Sequence, residues 1–187
     1  MIHISPPKGQ EQEIALIEAA KVKAAAFKPL YERHYKSIFL FILHRVGEKE
    51  LCADITSQVF LKALQNIKGF QFKNVPFSAW LYRIAINEIN DFFRHQTKHR
   101  YVTIDENQLQ TLHAELMEDF SIDHLQQRLH KILQRLNPDE LHLIELRFFE
   151  SRPFKEVATI LNISEVYAKV KTYRILNKLK KYFTEKK

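Results

Sequence analysis

Cysteine is almost absent: Cys52 stands alone among 187 residues. One thiol cannot build an intrachain disulfide framework, so a reducing cytoplasm is the simplest home for the chain. Glycine (3) and proline (6) are scarce as well. Long periodic stretches are therefore left unbroken, which favours an all-helical protein. No run approaches the ~20 apolar residues that span a bilayer. Residues 1–10 are polar and contain proline, with no apolar segment of the signal-peptide kind. The expectation is a soluble, cytoplasmic protein with no direct membrane insertion.

Signatures of chemistry are missing too. There is no Walker A loop, no G-x-S-x-G and no G-x-G-x-x-G. The nine histidines include no H-E-x-x-H pair, and no second cysteine is available for a zinc site. His95 and His99 are four apart and could share a helix face, but they sit in a basic stretch where phosphate contact is the better reading. The chain is expected to be no enzyme, with no catalytic residue, cofactor or metal.

What is present is apolar bulk and patterned charge. Hydrophobic residues make up 45% of the chain, enough for a buried core. Lys and Arg number 29 against 22 acids, a net charge of +7. That balance suits a polyanionic partner, although many soluble proteins share it. Its distribution is more informative. Phe92–Tyr101 carries Arg94, Lys98 and Arg100 with no acid; Thr103–His124 holds six acids and no Lys or Arg; Ser164–Lys187 holds seven Lys and Arg174 against Glu165 and Glu185. Two basic regions separated by an acidic connector imply two modules on a tether.

Helical spacing recurs in both. Phe27–Val46 carries apolar residues all along its length, with Gly47 as its stop. Leu51–Ile67 follows, and Gly69–Pro76 breaks the pattern as a loop. In the helix Phe77–His95, Leu81, Ala85, Ile89 and Phe92 form one stripe and Arg83, Asn87, Asp91 and Arg94, continued by Lys98, another. Further on, Asn137-Pro138-Asp139-Glu140 has the makings of a capping box. Pro153 opens a short helix to Leu161; Asn162-Ile163-Ser164 is a turn, and Ser164 can cap a long final helix. That order is a helix-turn-helix. Ala158 is small enough for close approach, Ala168, Thr172, Ile175 and Leu179 share one face of the final helix, and Lys169, Lys171, Tyr173 and Arg174 point outward. Such a helix fits a DNA major groove, but the segment alone also fits a basic surface helix packed on its neighbour.

Four stretches resemble the extracytoplasmic-function (ECF) group of the sigma-70 family of RNA polymerase sigma factors. They are FKPLYERHYKSIFLFILHRV, ADITSQVFLKAL (Ala53–Leu64), PFSAWLYRIAINEINDFFRHQ and LNPDELHLIELRFFESRPFKEVATILNIS. The third is the specific one, close to the family's W-L-x-x-I-A-x-N-x-x-x-D-x-x-R. Lys98–Ile122 leaves no room for the extra domain of larger sigma factors, which points to the small group. The resemblance implies an all-α protein of two small helical domains joined by a flexible acidic linker. Residues 1–22 would be an N-terminal extension of unassigned role, 23–97 region 2, 98–122 the linker and 123–183 region 4.

The resemblance also implies roles. Core RNA polymerase and promoter DNA would be partners, with an anti-sigma protein expected in addition. Trp80, Arg83, Asn87, Arg94 and Lys98 would help melt and read the minus-ten element, with Asn74 in the loop that caps a flipped base. Trp80 taken by itself reads as core, and Asp91 as a residue that orders basic neighbours. Asp54, Ile55, Gln58 and Leu61 would dock on the polymerase. Ser164, Lys169, Lys171, Tyr173 and Arg174 would read the minus-thirty-five duplex. The docking helix departs from the family's D-L-T-Q-E-T-F, and Val166-Tyr167 and Val170 replace a usual Gly-Thr pair and Ser, so promoter preference is not carried over. Two rival readings stand beside this one: a stand-alone helix-turn-helix regulator of duplex DNA, and a helical adaptor that binds only protein.

Overall fold

The computed structural model describes residues 8–72, 75–95, 111–112, 129 and 131–184, and every element among them is helical. In chain order they are α1 (Lys8–Val22), a 3-10 turn (Ala24–Phe27), α2 (Lys28–Val46), α3 (Lys49–Asn66), a second 3-10 turn (Ile67–Gly69), α4 (Phe77–His95), α5 (Pro138–Ile144), a π-helical turn (Glu145–Phe149), α6 (Phe154–Leu161) and α7 (Glu165–Thr184). The expected acidic connector 98–122 and the start of the expected second domain, from 123 on, lie outside the described residues, apart from 111–112 and 129.

Helices α2, α3 and α4 build the first module. Gly47 ends α2 as expected: its φ of 76° is left-handed, and its N–H donates to the Leu43 carbonyl. Phe41, Ile42, Val59, Ala63, Leu81, Ala85 and Ile89 meet in its core. Cys52 is buried among them and donates its thiol to the Phe39 carbonyl at 3.1 Å; burial pushes its pKa up to about 11, so it is an inert core residue. Residues 1–22 had no assignment from sequence, yet α1 packs on this module. Ile17 and Ala20 are buried, and Glu13 Oε1 lies 2.8 Å from His34 Nε2. Two buried residues give too short an apolar stripe to read as a docked helix beforehand.

The second module gathers Leu129, Ile132, Leu133 and Leu136 with α5, α6 and α7. The capping box is made in full: the Glu140 N–H donates to Asn137 Oδ1 at 2.9 Å, and the Asn137 N–H to Glu140 Oε2 at 3.0 Å. The pitch widens after Ile144, and the Glu150 N–H donates back to the Glu145 carbonyl. Bonding from i to i+5 brings residues five apart toward one side. Glu145 and Glu150 thereby both face the first module.

The two modules pack together. Arg45, at the end of α2, is only 1% exposed and donates from Nη1 to Glu145 Oε1 at 3.2 Å. Its Nη2 lies 3.4 Å from His142 Nδ1, and His142 Nε2 lies 3.2 Å from Asn90 Oδ1 on α4. A neutral imidazole protonated on Nε2 satisfies both contacts. Burial, helped by the Arg45 charge, holds His142 below its ordinary pKa despite the opposing Glu145 carboxylate. Nearby, the Tyr82 hydroxyl donates to Glu150, and the Arg152 guanidinium sits 4.6 Å over the Tyr82 ring while reaching Ser78 and Glu156. Among the described residues no helix is long and apolar enough to cross a membrane.

Candidate nucleic-acid interface

Helix α4 carries the first set of predicted contacts. Leu81, Ala85 and Ile89 face the core, which turns Arg83, Asn87 and Arg94 to the outside. Asp91 Oδ1 accepts from Arg94 Nη2 at 2.9 Å, the ordering role expected of it. Trp80 is half-buried, with its ring centroid 5.0 Å from Phe70 and 5.5 Å from Phe77. It is therefore partly core, and its free edge lines a cleft of about 390 Å³ with Lys62, Asn66, Asn87, Glu88 and Asp91. An aromatic edge beside amides and charged groups offers a stacking surface and hydrogen bonds to an unpaired base. Asn74, Lys98 and the His95–His99 pairing lie outside what is described.

The second set stands on the helix-turn-helix. Asn162 ends α6 in the left-handed region at φ 55°, and the Ile163 N–H returns to the Ala158 carbonyl. Ser164 Oγ accepts from the Tyr167 N–H at 3.1 Å and so caps α7. Ala168, Thr172, Ile175 and Leu179 are buried on one side, so Lys169, Tyr173 and Arg174 stand exposed on the other, with Lys171 half-buried. Lys169 Nζ pairs with Glu165 at 2.8 Å, which positions the cation near the start of the helix. Ser164 and Glu165 share a cleft with Arg83 of α4, so the two predicted contact sets approach one another across the module boundary.

On α3, Asp54, Gln58 and Leu61 are exposed along one face. Ile55 does not join them. It is 7% exposed and lies in the core with Val59, four residues on. One residue along a helix turns the side chain by about 100°, and at Ile55 that turn points it into the core of the module while Asp54 stays outside.

Sequence reasoning passed over Arg45, His142 and Glu145. Their signal was there in retrospect: an Arg inside the apolar end of α2, and a His and a Glu three apart within LHLIEL. Charged residues in such company are buried only when paired.

Comparison with known proteins assigns the family. Residues 30–99 match the model for Sigma-70 region 2, and residues 132–181 match the model for Sigma-70, region 4. The ECF RNA polymerase sigma factor BldN of Streptomyces coelicolor is 31% identical over 170 residues, covering 88% of this chain. This chain belongs to the sigma-70 family, in its ECF group. The sigma factor spans 63% of the length of BldN. Against the RNA polymerase sigma factor CarQ of Myxococcus xanthus it is 29% identical, over 86% of this chain and 90% of the other. Two solved structures share its fold. CnrH, in complex with the cytosolic domain of CnrY, aligns over 90% of the sigma factor and 95% of the CnrH chain, with a TM-score of 0.62 and 19% identity. RpoE, in complex with the anti-sigma factor NepR from Bartonella quintana, aligns over 86% and 98% respectively, with a TM-score of 0.60 and 19% identity.

Proposed function

We propose that this sigma factor binds core RNA polymerase and directs promoter-specific initiation, with region 2 (23–97) melting the minus-ten element and region 4 (123–183) gripping the minus-thirty-five duplex. The observation that carries the reading is one chain holding both the Trp80 cleft on α4 and a helix-turn-helix with outward cations on α7. A stand-alone regulator needs only the second. Asp54, Gln58 and Leu61 form the polymerase-docking face, and the polymerase supplies the chemistry. Asn74 and Lys98 extend the minus-ten contacts by analogy with the family. The cytoplasm is the working compartment. An anti-sigma protein is a further partner, because relatives of this fold are found in complex with such factors.

Function in this reading requires the modules to part. Elements named for positions about 25 base pairs apart lie about 85 Å apart on a duplex rising 3.4 Å per base pair. Arg83 and Ser164 line a single cleft in the packed arrangement, so the two elements cannot be held together until it opens.

Run-off transcription with purified core polymerase tests the proposal. Promoter-specific transcripts support it. Duplex binding without initiation favours a regulator, and binding to protein alone favours an adaptor.

A further inference from the structure

Half of the large hydrophobic residues that stand exposed among the described residues belong to one helix. On α7, Val166 is 73% exposed, Tyr167 49%, Val170 43% and Tyr173 59%. Scattered apolar residues on a surface are ordinary, but a contiguous stripe marks an interaction site. Val166, Val170 and Tyr173 follow steps of four and three, so they share a face. That face is opposite the buried Ala168, Thr172 and Ile175, and none of the described residues covers it.

We propose that α7 recognises thymine in the upstream duplex through its C5-methyl group, with Val166 and Val170 as the reading residues. The inference deepens the sigma-factor reading of this helix and rests on it. The charges beside the stripe identify the occupant. Lys169 and Arg174 are exposed beside it, and Lys171 is half-buried next to Tyr167. An apolar stripe edged by cations matches a groove whose walls are phosphates and whose floor carries methyl groups. In the major groove, thymine alone among the four bases presents a methyl.

The reading residues are set before DNA arrives. Valine in a helix occupies essentially one rotamer, so little freedom is lost when its methyls meet a base. Tyr167 is held by its N–H bond to Ser164 Oγ and by Lys171 Nζ, 5.6 Å from its ring centroid. It forms the shoulder of the stripe and leaves Val166 and Val170 to reach the groove floor.

The experiment uses the full chain with core polymerase and duplexes selected for binding. Each thymine of the selected upstream element is replaced in turn by uracil, which lacks only the methyl. The same series is run with the Val166→Ala, Val170→Ala double variant; alanine at exposed helical positions favours the helix and does not endanger folding. At one or two adjacent positions, uracil should weaken wild-type binding about fourfold per methyl, the ratio expected for burying one methyl-sized group. The double variant should show no such difference, and that cycle isolates the contact. If uracil and thymine bind equally everywhere while initiation stays promoter-specific, the methyl reading is wrong and the sigma-factor reading stands. If the wild type shows no dependence on upstream sequence at all, both fall. If the double variant loses affinity for core polymerase and keeps its uracil sensitivity, the stripe belongs to a protein contact and the inference is overturned.

Discussion

Glu145→Ala strands the Arg45 guanidinium. Glu145 supplies the carboxylate 3.2 Å from Nη1, and among the described residues Arg45 Nε has no hydrogen-bond partner to fall back on. Removing one member of a buried ion pair costs about 3–5 kcal/mol, because a charge is left in a dry site. Here the charge has an escape. Arg45 sits on α2 and Glu145 on the π turn after α5, so parting the modules returns the guanidinium to water while each module keeps its own core. The penalty therefore falls on the packed arrangement. A shift of about 3 kcal/mol or more moves the closed-to-open ratio by over a hundredfold. Small-angle scattering of the full chain should show the radius of gyration rise in Glu145→Ala. The paired change Arg45→Met with Glu145→Leu leaves no unpaired charge and should return the chain to the compact size, since apolar residues of similar volume commonly replace a buried pair without loss. An unchanged radius for Glu145→Ala would refute the reasoning, as would a double variant as open as the single one.

Three further outcomes follow from the same geometry. Lys169→Ala with Arg174→Ala should reduce initiation that depends on the upstream duplex, and the slope of log affinity against log salt should fall by about two if both cations meet phosphates; an unaltered slope in a salt titration excludes that role. Trp80→Ala should remove stacking worth about 1–3 kcal/mol per unpaired base and so reduce permanganate reactivity of minus-ten thymines, with Trp80→Phe recovering most of it; equal opening by the alanine variant would mean that Trp80 serves packing alone. Glu140 gives a pH dependence. Burial raises its pKa, but Lys178 Nζ at 2.8 Å and the Asn137 N–H outweigh burial and hold it below the usual carboxylate range. Its contribution is thus complete above the unfolded value of about 4.3 and is lost as pH falls through the lower folded value. Thermal melting of wild type and Glu140→Gln should converge with acidification over that interval, and a constant gap would contradict the assignment.

The amino-acid sequence by itself determined the local structure. Gly47, the Asn137–Glu140 capping box and Ser164 each act within one turn of their own backbone, so their effects could be read without knowing what lies opposite. The 3.6-residue period did the same for α4 and α7, where it separated the buried stripes from Arg83, Asn87, Lys169 and Arg174. The family signature lies within α4 and is local for the same reason. Only the tertiary structure decided matters that depend on which helix meets which. It turned Ile55 inward, because the face of α3 that carries it is covered by the rest of the first module. It docked α1 through Ile17 and Ala20, too few residues to announce themselves. It also brought Arg45 to Glu145, 100 positions later in the chain. No periodicity encodes that pairing, since each charge looks like a flaw in its own helix until the other is beside it.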